Sequence, residues 1–270
     1  MIRDITLGQF VPGKSILHRI DPRVKLLLTF LVIVFLFVAG NFISMGLMVA
    51  FVLLALILSG VSLRLYLKSM KAILFIVIFT SLLNLFYGSG EPLVQLGFLK
   101  ITLDGILRAA YISLRIICLV FISSVLTFTT SPTDLTDALE RLMKPLRYIK
   151  VPVHEIAMMM TIALRFVPTL LEETDKIMSA QKARGADLES GGIFQRIRAL
   201  VPILIPLFVS AFRRAYDLAM AMECRCYHGG DGRTKMKQLH LRSHDYTIIA
   251  VTICVCAGVI LINIFLPGMV

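Results

Sequence analysis

Apolar and polar positions alternate along this chain in blocks, not residue by residue. Residues 26–63 contain 38 positions without one charge, interrupted only by Gly40-Asn41. A helix needs about 20 apolar residues to cross the hydrocarbon core of a bilayer, so this block predicts two helices in a tight hairpin. Residues 72–90 form a third uncharged block. A fourth covers 109–128 around the single Arg115, and a fifth covers 246–270. The pattern predicts an all-α, polytopic membrane protein with about five transmembrane helices. Four of them fall in an N-terminal region, residues 1–130, and the last in residues 244–270.

Residues 131–243 read differently. Ser131-Pro132-Thr133-Asp134 supplies an N-cap, a proline at the first helical position and an acid in the first turn. Leu135, Leu139, Leu142, Leu146 and Ile149 follow at spacings of 4, 3, 4 and 3 with charges on the other face, which predicts an amphipathic helix that Pro145 bends or ends. Two longer helices follow. One runs from about His154 to Ala183-Arg184-Gly185, with Gly185 at a C-terminal cap position. The other runs from about Ile197 to Cys224-Arg225-Cys226, and its termination is expected to rest on Gly229-Gly230. Their apolar stretches, 154–171 and 199–212, offer an alternative of six or seven spans. The first stretch carries Glu155 and Arg165, and the second has only 14 residues with Pro202 and Pro206 inside. The reading adopted is a cytoplasmic helical coupling insertion over 131–243.

Charge gives this layout a direction. The chain of 270 residues is 57% hydrophobic and 17% charged, has a mean hydropathy of +0.85, and carries 28 Lys+Arg against 17 Asp+Glu for a net +11. Such basicity in a soluble protein would suggest nucleic acid, but here it reports topology. With the N-terminus inside and five alternating spans, 25 of the 28 cations fall on the cytoplasmic side, leaving Lys100, Arg108 and Arg115. Crossing by both long helices would instead place Lys176, Lys182, Arg184, Arg196 and Arg198 outside. No cleavable leader is expected, because charges and Pro12-Gly13 precede the first apolar block and no small-residue cleavage site follows it.

The two long helices each end in a small-Arg-small triplet. A lone arginine at a helix C-terminus is explained by the macrodipole. Two matching ends suggest more, since a guanidinium flanked by small side chains can reach into a groove on another protein and clasp a carboxylate with two hydrogen bonds. Other candidate chemistry is thin. His154-Glu155 lacks the second histidine of a zinc-protease helix. Asp104-Gly105 with Arg108 lacks a downstream acidic pair to hold metal. Cys224, Cys226 and His228 offer three ligands without Cys-x-x-Cys spacing, and the five cysteines fit apolar packing. Met158-Met159-Met160 offers an adaptable contact surface or plain packing. Arg115 either pairs with a partner subunit or snorkels. A secondary carrier should show paired charges near the midplane and an internal repeat, and a membrane enzyme should show convergent acids or histidines near one face. Neither pattern stands out.

The opening stretch Leu7-Gly8-Gln9-Phe10-Val11-Pro12-Gly13-Lys14-Ser15, with Leu17-His18-Arg19-Ile20-Asp21-Pro22-Arg23-Val24-Lys25, resembles the signature of the transmembrane T component of energy-coupling factor (ECF) transporters for vitamins and metals. The resemblance covers the whole chain, in order, length and placement of both triplets. It departs at Cys224 and Cys226, where Ala and Gly are common in the family. It implies a non-catalytic subunit of a bacterial or archaeal cell membrane, multi-pass with a cytoplasmic N-terminus. Ala183, Arg184, Gly185, Cys224, Arg225 and Cys226 would contact two ABC-type ATPase subunits, and the coupling helices would pass motion to a substrate-binding S component. No cofactor or metal is implied for this chain, since ATP would be bound by the partners. The signature resembles T components shared among several S components more than those dedicated to cobalt.

Overall fold

The computed structural model describes residues 10–86, 92–96, 99–186, 192–230 and 240–266. Residues 7–9 of the opening signature, the end of the third apolar block (87–90) and residues 267–270 lie outside the described residues. The elements in chain order are α1 (Ile16–Arg19), α2 (Pro22–Val38), α3 (Phe42–Ser59), α4 (Leu63–Phe86), β1 (Pro92–Leu96), β2 (Leu99–Thr102), α5 (Leu103–Thr129), α6 (Pro132–Leu142), a 3₁₀ turn (Lys144–Ile149), α7 (Val153–Ala183), α8 (Ile193–Cys224) and α9 (Ser243–Phe265). They fall into two compact units that divide near residues 138 and 238. The protein is a polytopic helical membrane protein, as its apolar blocks predict. The short antiparallel pair β1–β2, with Val94 opposite Ile101 and Leu96 opposite Leu99, was not foreseen from the sequence.

Among the described residues, five helices are long and apolar enough to cross a bilayer: α3, α5, α7, α8 and α9. The number matches the expectation, but the membership differs. α2 has 17 residues, about 26 Å of helix at ~1.5 Å per residue, at the short end of what spans. α4 starts at Leu63, nine residues before the apolar block, and its two parts, Leu63–Lys71 and Ile73–Leu85, meet at a 61° bend. α7 and α8 qualify by composition, although their most apolar stretches are less apolar than those of α3, α5 and α9.

In the unit containing α1 to α5 and α9, α5 packs on α2, α3 and α4, and α9 closes against α2 and α3. Leu36, Met48, Val52, Tyr66 and Val259 are fully enclosed. The Tyr66 hydroxyl donates to Ser59 Oγ at 2.9 Å, and the rings of Phe121 and Phe128 meet it edge-on. Large apolar side chains such as Phe30, Ile57 and Phe75 point outward, the arrangement expected where lipid is the solvent.

Two polar nodes hold the ends of this bundle. At one, Asp21 caps α2 by accepting from the Arg23 amide at 2.9 Å, and it pairs with the Arg23 guanidinium at 2.6 Å. The Asp21 amide donates to Asp245 Oδ1 at 3.0 Å, which brings in the start of α9. Lys25, also buried, donates to the Thr129 carbonyl at 3.0 Å and Thr130 Oγ1 at 2.9 Å, which brings in the end of α5. A buried ammonium is tolerable only when bonded in this way, so the Asp21-Pro22-Arg23-Val24-Lys25 run joins three helix ends. Nearby, the Val11 carbonyl only accepts, so His18 Nε2 donates to it (2.9 Å) and Nδ1 accepts from Ser15 Oγ (2.7 Å).

The other node answers the question of Arg115. Its guanidinium donates to the Ala39 carbonyl at 3.1 Å and lies 4.9 Å from the centre of the Tyr111 ring, whose hydroxyl donates to the same carbonyl at 2.5 Å. Arg115 therefore caps the C-terminal end of α2, where the helix dipole favours a cation. Asn263 Nδ2 donates to the Val38 carbonyl at 2.8 Å, and Asn41 Nδ2 donates to the Leu266 carbonyl, so the loop at Gly40-Asn41 is stitched to the end of α9.

Candidate functional site

The triplet-bearing helices occupy the other unit: α7 begins at Val153, within a residue of the start expected, and α8 at Ile193, four residues before it. α6 starts as expected, with Ser131 Oγ accepting from the Asp134 amide at 3.1 Å. It stops at Leu142, however. Pro145 lies in the 3₁₀ turn that follows, so Leu146 and Ile149 leave the amphipathic face and are exposed. Of the two outcomes expected of Pro145, the helix ends: the missing N–H outweighs the leucine periodicity.

α7 and α8 run antiparallel. Gln181 Nε2 donates to the Pro202 carbonyl at 3.3 Å near one end. Midway, Glu173 accepts from Arg214 at 2.8 Å and from the Ser210 hydroxyl. Further along, Ile162, Phe166 and Leu170 of α7 face Ala215, Leu218 and Met222 of α8 across an apolar groove of about 230 Å³. Beyond the end of α8, Gly230 approaches His154 at the start of α7 so closely that a Cβ there would stand 2.3 Å from the ring. His154 Nδ1 meets Glu140 Oε1 of α6 at 3.0 Å; a carboxylate accepts, so the histidine donates. Gly230 is thus required by close approach.

The two triplets are built alike. At the end of α7, Arg184 is the cap residue and Gly185 has φ +85°. The Gly185 amide bonds the Lys182 carbonyl at 3.0 Å, and the Ala186 amide bonds Gln181 at 3.0 Å. At the end of α8, Arg225 is the cap residue and Cys226 has φ +54°. The Cys226 amide bonds the Glu223 carbonyl at 2.8 Å, and the Tyr227 amide bonds Met222 at 3.1 Å. Both ends are complete Schellman motifs. Termination of α8 therefore does not rest on Gly229-Gly230: Cys226 itself takes the left-handed conformation that glycine usually supplies. Ala183, Arg184, Gly185, Cys224, Arg225 and Cys226 are all exposed.

Antiparallel packing puts the triplets at opposite ends of the hairpin. Met222 faces Ile162 and Gly230 meets His154, so Arg225 lies beside α7 near residue 159. From there to Arg184 is about 25 residues of helix, roughly 38 Å at ~1.5 Å per residue. Spacing along the chain could not reveal this, because it depends on where the turn between the helices falls. The Glu173–Arg214 pair and the His154–Gly230 contact were missed for the same reason.

The remaining candidates are brought together nowhere. Asp104 and Arg108 form a half-buried ion pair of 3.2 Å in the first turns of α5. His228 Nδ1 is taken by the Cys226 carbonyl at 2.9 Å. Among the described residues no three side chains of His, Cys, Asp or Glu converge to hold a metal. Cys118 and Cys256 are buried, whereas Cys224, Cys226 and Cys254 are exposed, so apolar packing accounts for only two of the five.

Residues 13–236 match the profile of the family described as CbiQ, cobalt transport protein. The chain is 50% identical over 263 residues to the energy-coupling factor transporter transmembrane protein EcfT of Ruminiclostridium cellulolyticum, covering 97% of this chain and 98% of that one. It is 50% identical over 263 residues to the EcfT of Clostridium kluyveri, covering 96% and 97%, and 45% identical over 258 residues to that of Bacillus subtilis, covering 95% and 97%. The chain belongs to this family. It is accordingly a multi-pass transmembrane component of an energy-coupling factor transporter, and the secondary-carrier and membrane-enzyme readings fall away. The shared capping geometry explains how Cys224 and Cys226 serve at the end of α8 where Ala183 and Gly185 stand at the end of α7.

Proposed function

We propose that the chain is the coupling lever of an ATP-driven energy-coupling factor importer for vitamins or other micronutrients. Two ABC-type ATPase subunits grip it at Arg184 and Arg225, and α7 and α8 pass their motion to a substrate-binding S component in the membrane. The chain is a non-catalytic subunit that binds no nucleotide or other cofactor. Gly8 to Ser15 do spell Gly-x-x-x-x-Gly-Lys-Ser, but Pro12 has no amide to offer a phosphate and only the four-residue α1 follows, which does not suit a phosphate-binding loop opening a helix.

The observation that carries this reading is the pair of identically capped arginines at opposite ends of one hairpin. Two subunits related by a rotation present two equivalent sockets at a distance from each other, and a hairpin about 38 Å long with one arginine at each end suits that spacing. Both sockets are on one side of the membrane, since ATP is cytoplasmic. A hairpin crossing the bilayer would leave one arginine on each face. This favours α7 and α8 lying along the inner face as a cytoplasmic insertion over 131–243, with the N-terminus cytoplasmic, in agreement with the positive-inside count. The apolar residues exposed along α8, among them Phe208 and Phe212, then offer contact to the S component.

Copurification tests the proposal. A tagged chain drawn from its own membranes in mild detergent should bring ATPase subunits with it. Arg184→Glu and Arg225→Glu should each cost about 2–5 kcal/mol of association, as expected when one member of a buried charge pair is lost, and the double variant should lose both binding and uptake. Full association and uptake by the double variant would sink the assignment.

A further inference from the structure

The 3₁₀ turn after α6 carries side chains that neither coupling nor internal packing uses. Tyr148 is 94% exposed and Ile149 77%, and Leu146 is exposed beside them. Exposed large apolar groups are common on the long helices of this chain, but here three fall together in a short turn between helices, and a contiguous apolar patch marks a contact surface. This one is well fixed: Pro145 and Pro152 bracket it, and Lys150 closes it in the left-handed conformation (φ +62°), with its amide bonded to the Arg147 carbonyl at 3.0 Å. Residues 141–150 hold Arg141, Lys144, Arg147 and Lys150 and no acid. The turn is reached within fifteen residues of the end of α5, one of the helices able to span.

We propose that Tyr148 and Ile149 dip into an anionic lipid surface, with Lys144 and Lys150 against the headgroup phosphates, so that the turn anchors the start of the coupling hairpin to the bilayer. The charge pattern selects this occupant. Lysines flanking an aromatic and an aliphatic side chain make an interfacial anchor, in which the ring lies at headgroup depth and the point charges meet phosphate. A protein socket for this turn would have to be strongly acidic and apolar at once. The rigid turn adds to the effect, because side chains held in place lose little freedom on insertion.

The chain has no Trp, so Tyr148→Trp makes a single-emitter probe at a position where exposure leaves the fold undisturbed. The full-length variant is reconstituted into vesicles of phosphatidylcholine with and without phosphatidylglycerol, using acyl chains brominated near the headgroup. The expected result is blue-shifted emission quenched by bromine in the anionic vesicles. Lys144→Gln and Lys150→Gln should each lower the ratio of inserted to free probe about fivefold, the size expected per cation at an anionic surface. Ile149→Trp, one residue away, should behave alike and guards against a local effect of the first substitution. Unquenched, water-like emission from both probes overturns the proposal. So does quenching that ignores lipid charge, or a shift that appears only when purified ATPase subunits are added.

Discussion

Cys226 fills at the end of α8 the cap position that Gly185 fills at the end of α7. A non-glycine residue in the left-handed region costs about 1–2 kcal/mol, yet Cys226 sits there at φ +54° and its amide and that of Tyr227 complete the cap. Cys226→Gly should relieve this strain while adding freedom to the unfolded chain, leaving stability unchanged or raised by up to about 1 kcal/mol. Cys226→Val puts a branched Cβ into the same conformation and should lower stability by about 1–2 kcal/mol. Hydrogen exchange at the Cys226 and Tyr227 amides checks both: protection is kept in the glycine variant and lost in the valine variant. Equal protection in the two would mean the cap does not depend on this backbone conformation. ATPase association should follow the same order, because the cap fixes the direction in which Arg225 leaves the helix.

At the level of elements, α7 and α8 are pinned midway by Glu173, which accepts from both Ser210 and Arg214. The carboxylate and guanidinium are partly exposed, so a double-mutant cycle with Glu173→Ala and Arg214→Ala should give a coupling of about 0.5–1 kcal/mol, at the upper end for exposed pairs. Measured by thermal unfolding in detergent, a coupling near zero would show the contact to be incidental. Loss of the pin should also loosen coupling, so that ATP hydrolysis by the assembled complex persists while uptake falls. The elements themselves were largely legible in the sequence. Ser131 and Pro132 mark the start of α6, and the small-Arg-small triplets mark the ends of α7 and α8 to the residue, because capping is local chemistry. What joins the elements was not legible. Glu173 and Arg214 are 41 residues apart, and the register that pairs them depends on the turn between the helices. Neither a partner subunit nor snorkelling is needed for Arg115, whose partner, the Ala39 carbonyl, belongs to the backbone of another helix and leaves no mark in the sequence.

For the whole molecule, the decisive question is how the α7–α8 hairpin lies with respect to the bilayer, and the native cysteines supply half of the answer. Cys224 and Cys226 are exposed free thiols beside Arg225, while Cys118 and Cys256 are buried. Cys254 is exposed on α9, a helix able to span, where lipid keeps a water-soluble reagent away from it. A membrane-impermeant maleimide should therefore label the chain in inside-out vesicles at Cys224 and Cys226 and leave it unlabelled in intact cells. That result alone fits both layouts, because the end of α8 is cytoplasmic whether the hairpin crosses or lies along the face. The far end separates them. With Cys224 and Cys226 changed to serine, Ala183→Cys places one reactive thiol beside Arg184. If the hairpin lies along the inner face, this thiol too is labelled only in inside-out vesicles, and both arginines share the compartment where ATP is hydrolysed. Labelling from outside in intact cells would mean that α7 and α8 are spans, that five or more cations stand on the outer face against the charge bias, and that Arg184 has no ATPase to hold.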